Sequence, residues 1–247
     1  MKNFYLAVIV LFLSGCSLVP KDNLDTLTAV TPTEQGADWA KTWWLKRHQE
    51  KLLEKEHMNS VDLVFLGDSI THNWERKPAA KKAWDEYYLA RNPLNLGFSG
   101  DKTEHVLWRI KHGAVDNITP KLLVLMIGTN NTGRANETST ETAIGIKAII
   151  DELTLKLPET KILLLAIFPR GKKPTDIKRQ RNDRSNNIIK TYANDKSVFY
   201  LDINHIFLDE NKILQPSVMD DYLHPNADQY RYWAQAIEPS IVQLMAE

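Results

Sequence analysis

A single three-layer α/β domain built on a parallel sheet is the fold this sequence predicts, and three observations predict it. Five short apolar runs alternate with longer amphipathic segments. The runs are apolar at successive positions, as strands covered on both faces are. Three of them end abruptly in glycine followed by small polar residues, where sheets of this kind place their chemistry. The 247 residues are 43% hydrophobic, ample for one large core. Lys plus Arg equals Asp plus Glu at 31 each, so no net field draws nucleic acid or anionic lipid, and any partner must be recognised locally.

The chain opens with Lys2, an apolar run from Phe4 to Leu13, and then Ser14-Gly15-Cys16. Ten apolar residues are too few to span a bilayer comfortably but suit a signal peptide. "LSGC" resembles a bacterial lipobox, which implies cleavage after residue 15 and a lipid on Cys16, the only cysteine. Ser17 in place of Asp then implies the outer membrane, so the expected location is the bacterial cell envelope, with a lipid anchor on the membrane. Residues 16–37, rich in Thr, Pro, Asp and Asn, read as the lipidated cysteine and a tether, and 38–247 as the folded domain.

Asp38 to His57 carries good helix formers and reads as a leading helix, with Trp39, Trp43 and Leu53 able to share one face. The strands follow as Val61 to Leu66, Leu94 to Leu96, Leu122 to Ile127, Ile162 to Ile167 and Val198 to Leu201. Ile146, Ile149, Ile150, Leu153 and Leu157 recur at helical spacing before Pro158. Tyr230, Trp233, Ala234, Ile237, Ile241 and Leu244 do so near the end, with Pro239 expected to kink or interrupt that helix.

The strand ends carry Gly67-Asp68-Ser69, then Gly97-Phe98-Ser99-Gly100-Asp101, then Gly128-Thr129-Asn130-Asn131. In the common strand order 2-1-3-4-5 the second and third strands flank the first, so these loops converge. A serine needs a base to become a nucleophile, and acyl transfer needs donors for the oxyanion. Ser69 is the candidate nucleophile. The Gly97 N–H, the Asn130 amide and the Ser69 N–H are candidate donors. In "DDYLHP", Asp221 precedes His224 by three residues, so it can orient the imidazole as base, and Pro225 is read as opening the last helix. Ser99 is a rival, since "GFSGD" nearly forms a Gly-x-Ser-x-Gly elbow, but position 101 is Asp. Trp108 and Arg109 read as packing plus an ion pair, and for Trp74, His72 and the Phe168-Pro169-Arg170 lip a structural role weighs at least as much as an acyl pocket. His105 and His112 show no metal-binding spacing, and no metal or cofactor is expected.

"GDSIT", "NLGFSGD", "IGTNN" and "DYLHP", in that order, resemble the four blocks of the SGNH (GDSL-type) esterases and lipases. The resemblance implies Ser69 as nucleophile, Gly97 and Asn130 as oxyanion donors, and His224 and Asp221 as base and partner. "GDKTEHVLWRI", "PKLLVLMIGTNN", "IFPRGKKP" and "DYLHPNADQYRYWAQAI" are similar to the type Ib platelet-activating factor acetylhydrolase catalytic subunits and their bacterial relatives, over roughly residues 60 to 245. That likeness implies a flavodoxin-like five-stranded fold, hydrolysis of short acyl esters, acetyl above all, and a candidate homodimer. The exported leader departs from those intracellular enzymes. It shifts the expected substrate towards a small or glycan acetyl ester, with a phospholipid acylhydrolase as the alternative enzyme and an inactive carbohydrate-binding lipoprotein as the alternative of another class.

Overall fold

The structure, a computed structural model, describes residues 27–246 apart from 134 and 136. The readings of the leader and of Cys16 lie outside the described residues. Five parallel strands, β1 (Leu63–Gly67), β2 (Pro93–Gly97), β3 (Leu122–Met126), β4 (Lys161–Leu165) and β5 (Val198–Leu201), form one sheet in the order β2-β1-β3-β4-β5. The helices are α1 (Trp44–His57), α2 (Ser69–Arg76), α3 (Pro78–Tyr88), α4 (Thr103–Lys111), α5 (Thr129–Gly133), α6 (Ser139–Lys156), α7 (Ile177–Ile189) and α8 (Gln229–Ala246).

Alternation along each strand divides the core into two faces. Val64, Leu66, Leu94, Leu96, Leu123, Leu125, Ile162 and Leu164 meet Val106, Leu107 and Ile110 of α4 and Ile146, Ile149, Ile150 and Leu153 of α6. That face is aliphatic. Leu63, Phe65, Leu122, Val124, Leu163 and Leu165 meet Trp74, Trp84, Tyr88, Tyr230 and Trp233. The opposite face is largely aromatic, with ring pairs such as Trp74–Tyr230 at 4.7 Å and Phe65–Tyr88 at 4.9 Å.

Register aligns the strand ends that matter. Gly67 of β1 pairs with Gly97 of β2 and with Met126 of β3, so the three loops beyond them leave the same edge of the sheet. Helix α6 ends at Lys156 ahead of Pro158, and α8 runs through Pro239 as one helix, without the interruption expected there. Pro239 removes one intrahelical donor, but Ile237 and Ile241 on either side are fully buried and hold the helix against the sheet. The last helix begins at Gln229, not at Pro225, whose carbonyl instead accepts from Lys77 Nζ at 2.7 Å.

The leading helix differs from its sequence reading. Turns occupy residues 38–43, α1 begins at Trp44, and Trp39 and Leu53 are exposed. The inward face is Trp44, His48, Lys51 and Lys55, because polar partners await it: Trp44 Nε1 donates to Asp101 at 2.6 Å, Lys51 reaches Glu75, and Lys55 Nζ donates to the carbonyls of Gly113 and Asp116 just past α4. Residues 27–37 also differ from a free tether. Ala29 is buried, Thr33 N–H donates to the Glu104 carbonyl, and the Gln35 amide donates to the Gly100 carbonyl at 3.3 Å.

Candidate active site

The β1–α2 turn places Ser69 on the first residue of a helix. The Asp68 carboxylate accepts the Ile70 N–H at 2.9 Å and so caps α2, while the buried Tyr230 hydroxyl donates to the Ile70 carbonyl at 2.8 Å and pins the same turn from α8. Burial of Asp68, chiefly by desolvation, raises its carboxyl to about 7. Ser69 itself is 9% exposed, enough to present its hydroxyl at the floor of a cleft of about 480 Å³.

Ser69, His224 and Asp221 meet. Ser69 Oγ lies 2.9 Å from His224 Nε2, and His224 Nδ1 lies 2.6 Å from Asp221 Oδ2. With Nδ1–H donated to the carboxylate, Nε2 is the acceptor for the serine hydroxyl. The other Asp221 oxygen accepts the main-chain N–H groups of Leu223 and His224, at 2.9 and 2.8 Å. Tyr222, between Asp221 and Leu223, takes a left-handed φ of 56°, which folds the loop back on the carboxylate. Partial burial alone would raise Asp221, but the hydrogen bonds from His224 and Leu223 outweigh it and hold the carboxyl below its usual range.

The oxyanion assignment changes. Gly97 N–H is already donated to the Asn95 side chain at 2.8 Å, and a Cβ on Gly97 would lie 2.2 Å from the His72 main-chain nitrogen. Gly97 lets β2 approach α2 closely, and its donor is spent there. Gly100 lines the cleft with Ser69 and His224, and it has a φ of +79°. Asn130, buried at the start of α5, donates from Nδ2 to the Asp101 carbonyl at 2.9 Å, which attaches it to the loop carrying Gly100. The sequence reading named Gly97 alone and passed over Gly100, three residues on. The signal that separates them is Asn95, two residues before Gly97, which captures its N–H.

Ser99 has its own histidine, His72 Nδ1 at 3.0 Å, and also accepts from Arg76 Nη1 at 3.2 Å. Burial first, then the Arg47 and Arg76 charges, lowers His72 to about 2, which makes it a weak base near neutral pH. Arg109 is fully buried, with Nε donating to Asp101 at 2.9 Å and its guanidinium 4.0 Å from the Phe98 ring centroid. Trp108 stacks on His112 and lies 5.2 Å from Trp44. Trp74 and Phe168 belong to the aromatic core, and Arg170 Nη1 donates to the Thr129 carbonyl. Sequence reasoning missed Trp39, Asn73, Arg76, Lys77, Gly100 and Asp220, which complete the cleft wall.

A serine, a histidine and an aspartate brought together beyond the carboxyl edge of a five-stranded parallel sheet form an arrangement suited to hydrolysis by acyl transfer. The profile of the GDSL-like Lipase/Acylhydrolase family matches residues 65–232, and the chain belongs to that family. It is 33% identical over 205 residues to the platelet-activating factor acetylhydrolase IB subunit alpha2 of Rattus norvegicus, covering 83% of this chain and 86% of that one. Among solved structures it is similar to a GDSL-like lipase from Bacteroides thetaiotaomicron (21% identity, TM-score 0.66, covering 79% of this chain and 97% of the other). It is also similar to the acetylxylan esterase Axe2 from Geobacillus stearothermophilus (18% identity, TM-score 0.58, 77% and 97%).

Proposed function

We propose that the protein is a serine esterase that hydrolyses short acyl esters, above all acetyl esters of carbohydrate, through Ser69, His224 and Asp221. The observation that carries this reading is the 2.9 Å approach of Ser69 Oγ to His224 Nε2, with Asp221 on the other ring nitrogen. As Ser69 Oγ bonds to the ester carbonyl carbon, its proton passes to His224 Nε2, and the carbonyl π pair moves to the oxygen. That oxyanion is met by the N–H groups of Ser69 and Gly100 and by the Asn130 amide, each such donor being worth about 3 kcal/mol in comparable sites. Collapse breaks the bond to the leaving alcohol, which takes the proton from His224 and leaves acyl-Ser69. Water, deprotonated by the same nitrogen, releases the acid and restores the serine.

The acetyl preference is supported by the acetylhydrolase relatives, and the carbohydrate preference by the likeness to an acetylxylan esterase together with the lipobox-like leader. A fluorophosphonate probe should label Ser69, and Ser69→Ala should abolish both labelling and turnover of p-nitrophenyl acetate, with acetate hydrolysed much faster than octanoate. An octanoate preference favours the phospholipid acylhydrolase. No adduct at all favours a binding protein without catalysis.

The same reading places the chain on the bacterial cell envelope through a lipid on Cys16, with the outer membrane as its site. Labelled palmitate should enter the full-length protein in cells and fail to enter Cys16→Ala. Incorporation into the variant would remove the anchor from the proposal.

A further inference from the structure

Beside the cleft that holds Ser69 is a second cleft of about 460 Å³, lined by Trp39, Trp43, His72, Arg76 and Ser99. Trp39, Arg76 and Ser99 also line the first, so the two share a wall. We infer that the second cleft is a subsite for a sugar ring of the substrate, with Trp39 and Trp43 as its aromatic platform and Arg76, Ser99 and His72 as its hydroxyl-binding groups. This deepens the esterase reading and rests on it: the acetyl ester lies over Ser69, and the carbohydrate that carries it extends past Trp39.

The lining is the first argument. Trp39 is 46% exposed, and its centroid stands 6.1 Å from Trp43 with the planes tilted by 30°. Trp43 in turn lies 5.9 Å from the His72 ring at 34°. These rings line one wall. A sugar ring offers C–H groups on its faces and hydroxyls around its rim, and the cleft supplies both partners, aromatic surface and polar groups. A long acyl chain would instead cover the Arg76 guanidinium, which gives one N–H to Ser99 and leaves others to be satisfied, an unfavourable burial.

Position is the second argument. The Trp39 indole rests against Gly100, where a Cβ would stand 2.2 Å from Cη2, so the platform is seated on the loop that supplies an oxyanion donor. A ring bound there is next to the reacting carbonyl. Trp39 and Trp43 both precede the residues matched by the family profile, so this wall is contributed by the segment ahead of β1.

Two measurements test this. In the first, Ser69→Ala is titrated by calorimetry with xylotetraose, cellotetraose, chitotetraose and dihexanoylphosphatidylcholine. At least one oligosaccharide should bind, and its affinity should fall when Trp39→Ala is added. In the second, kcat/KM is measured for p-nitrophenyl acetate and for the acetylated form of the oligosaccharide that binds. Trp39→Ala should lose about tenfold or more on the acetylated oligosaccharide beyond any loss on the small ester, mainly in KM, as for an interface anchor of this size. Trp39→Phe, which keeps a ring face, should recover much of that loss. Equal losses on the two esters, or binding of the phospholipid and of no oligosaccharide, would overturn the subsite. Oligosaccharide binding by Ser69→Ala combined with no turnover and no fluorophosphonate adduct in the unmodified protein would keep the subsite and overturn the esterase.

Discussion

The sheet core and the seat of the leading helix are both buried, yet they are built from different materials. Around the sheet, strand residues meet other apolar side chains, and the buried set is Val, Leu, Ile, Ala, Met, Phe, Trp and Tyr. Under α1, by contrast, only Ala40, Trp44 and Phe98 form an apolar cluster. The rest of that seat is His48, Lys51, Lys55, His105, Asp101 and Arg109, all buried and all joined by directed bonds. The first region depends on area removed from water and tolerates change of pH. The second depends on matched partners, and it fails when one of them changes charge or is lost.

The largest way to break this contrast is at the Arg109–Asp101 pair. Both side chains are fully buried, and Asp101 also accepts from Trp44 Nε1. Asp101→Ala should cost about 3–5 kcal/mol in a denaturant titration, because Arg109 is left charged without its partner. The double variant Asp101→Ala/Arg109→Met should be more stable than that single variant. If instead the two losses simply add, the pair is not what holds the seat together.

Acid sharpens the contrast with a smaller effect. Burial first, and then neighbouring cations, lowers His48 to about 4, His72 to about 2 and His105 to about 3, all beneath their usual 6.5. Each is neutral in the folded protein, whereas the unfolded chain protonates below about 6.5. The stability these histidines contribute is complete above that pH and is lost as pH falls towards their folded values, by up to about 1.4 kcal/mol per pH unit for each. Amide protection factors in residues 44–57 should therefore drop between pH 7 and 5 before those of β1 and β3. Simultaneous loss would mean that the helix is no weaker a unit than the sheet.

The smallest effect belongs to neither region. Lys147 and Asp151 form an exposed pair one turn apart on α6, with Nζ 2.6 Å from Oδ1. Lys147→Ala should shift stability by no more than about 0.5 kcal/mol. A loss of 2 kcal/mol there would show that bond length, and not burial, ranks the interactions of this protein.

The same contrast explains what could be read beforehand. Strands β1 to β5 were legible, because a run such as Leu122 to Ile127 is buried whatever its neighbours are; their order was taken as the common one, Ser69 follows from where β1 ends, and His224, well past β5, was read from its spacing to Asp221 and from the family likeness. The face of α1 was not legible. Apolar spacing pointed to Trp39, Trp43 and Leu53, while the buried positions are His48, Lys51 and Lys55, whose burial is decided by carbonyls and carboxylates on distant segments such as Gly113 and Glu75. Gly97 was chosen over Gly100 for a similar reason. Nothing in the two glycines themselves says that Asn95 will take the first one's N–H.

The loop around Asp221 has one more consequence. Its Oδ1 faces two main-chain N–H groups and its Oδ2 faces the imidazole, so every neighbour of this carboxylate is a donor. No amide can copy that pattern. An asparagine of identical outline must turn its NH2 either towards the two backbone hydrogens, which opens the loop, or towards Nδ1, which drives the ring proton across to the nitrogen beside Ser69. The position is closed to its nearest isostere by hydrogen count alone, before any question of charge arises.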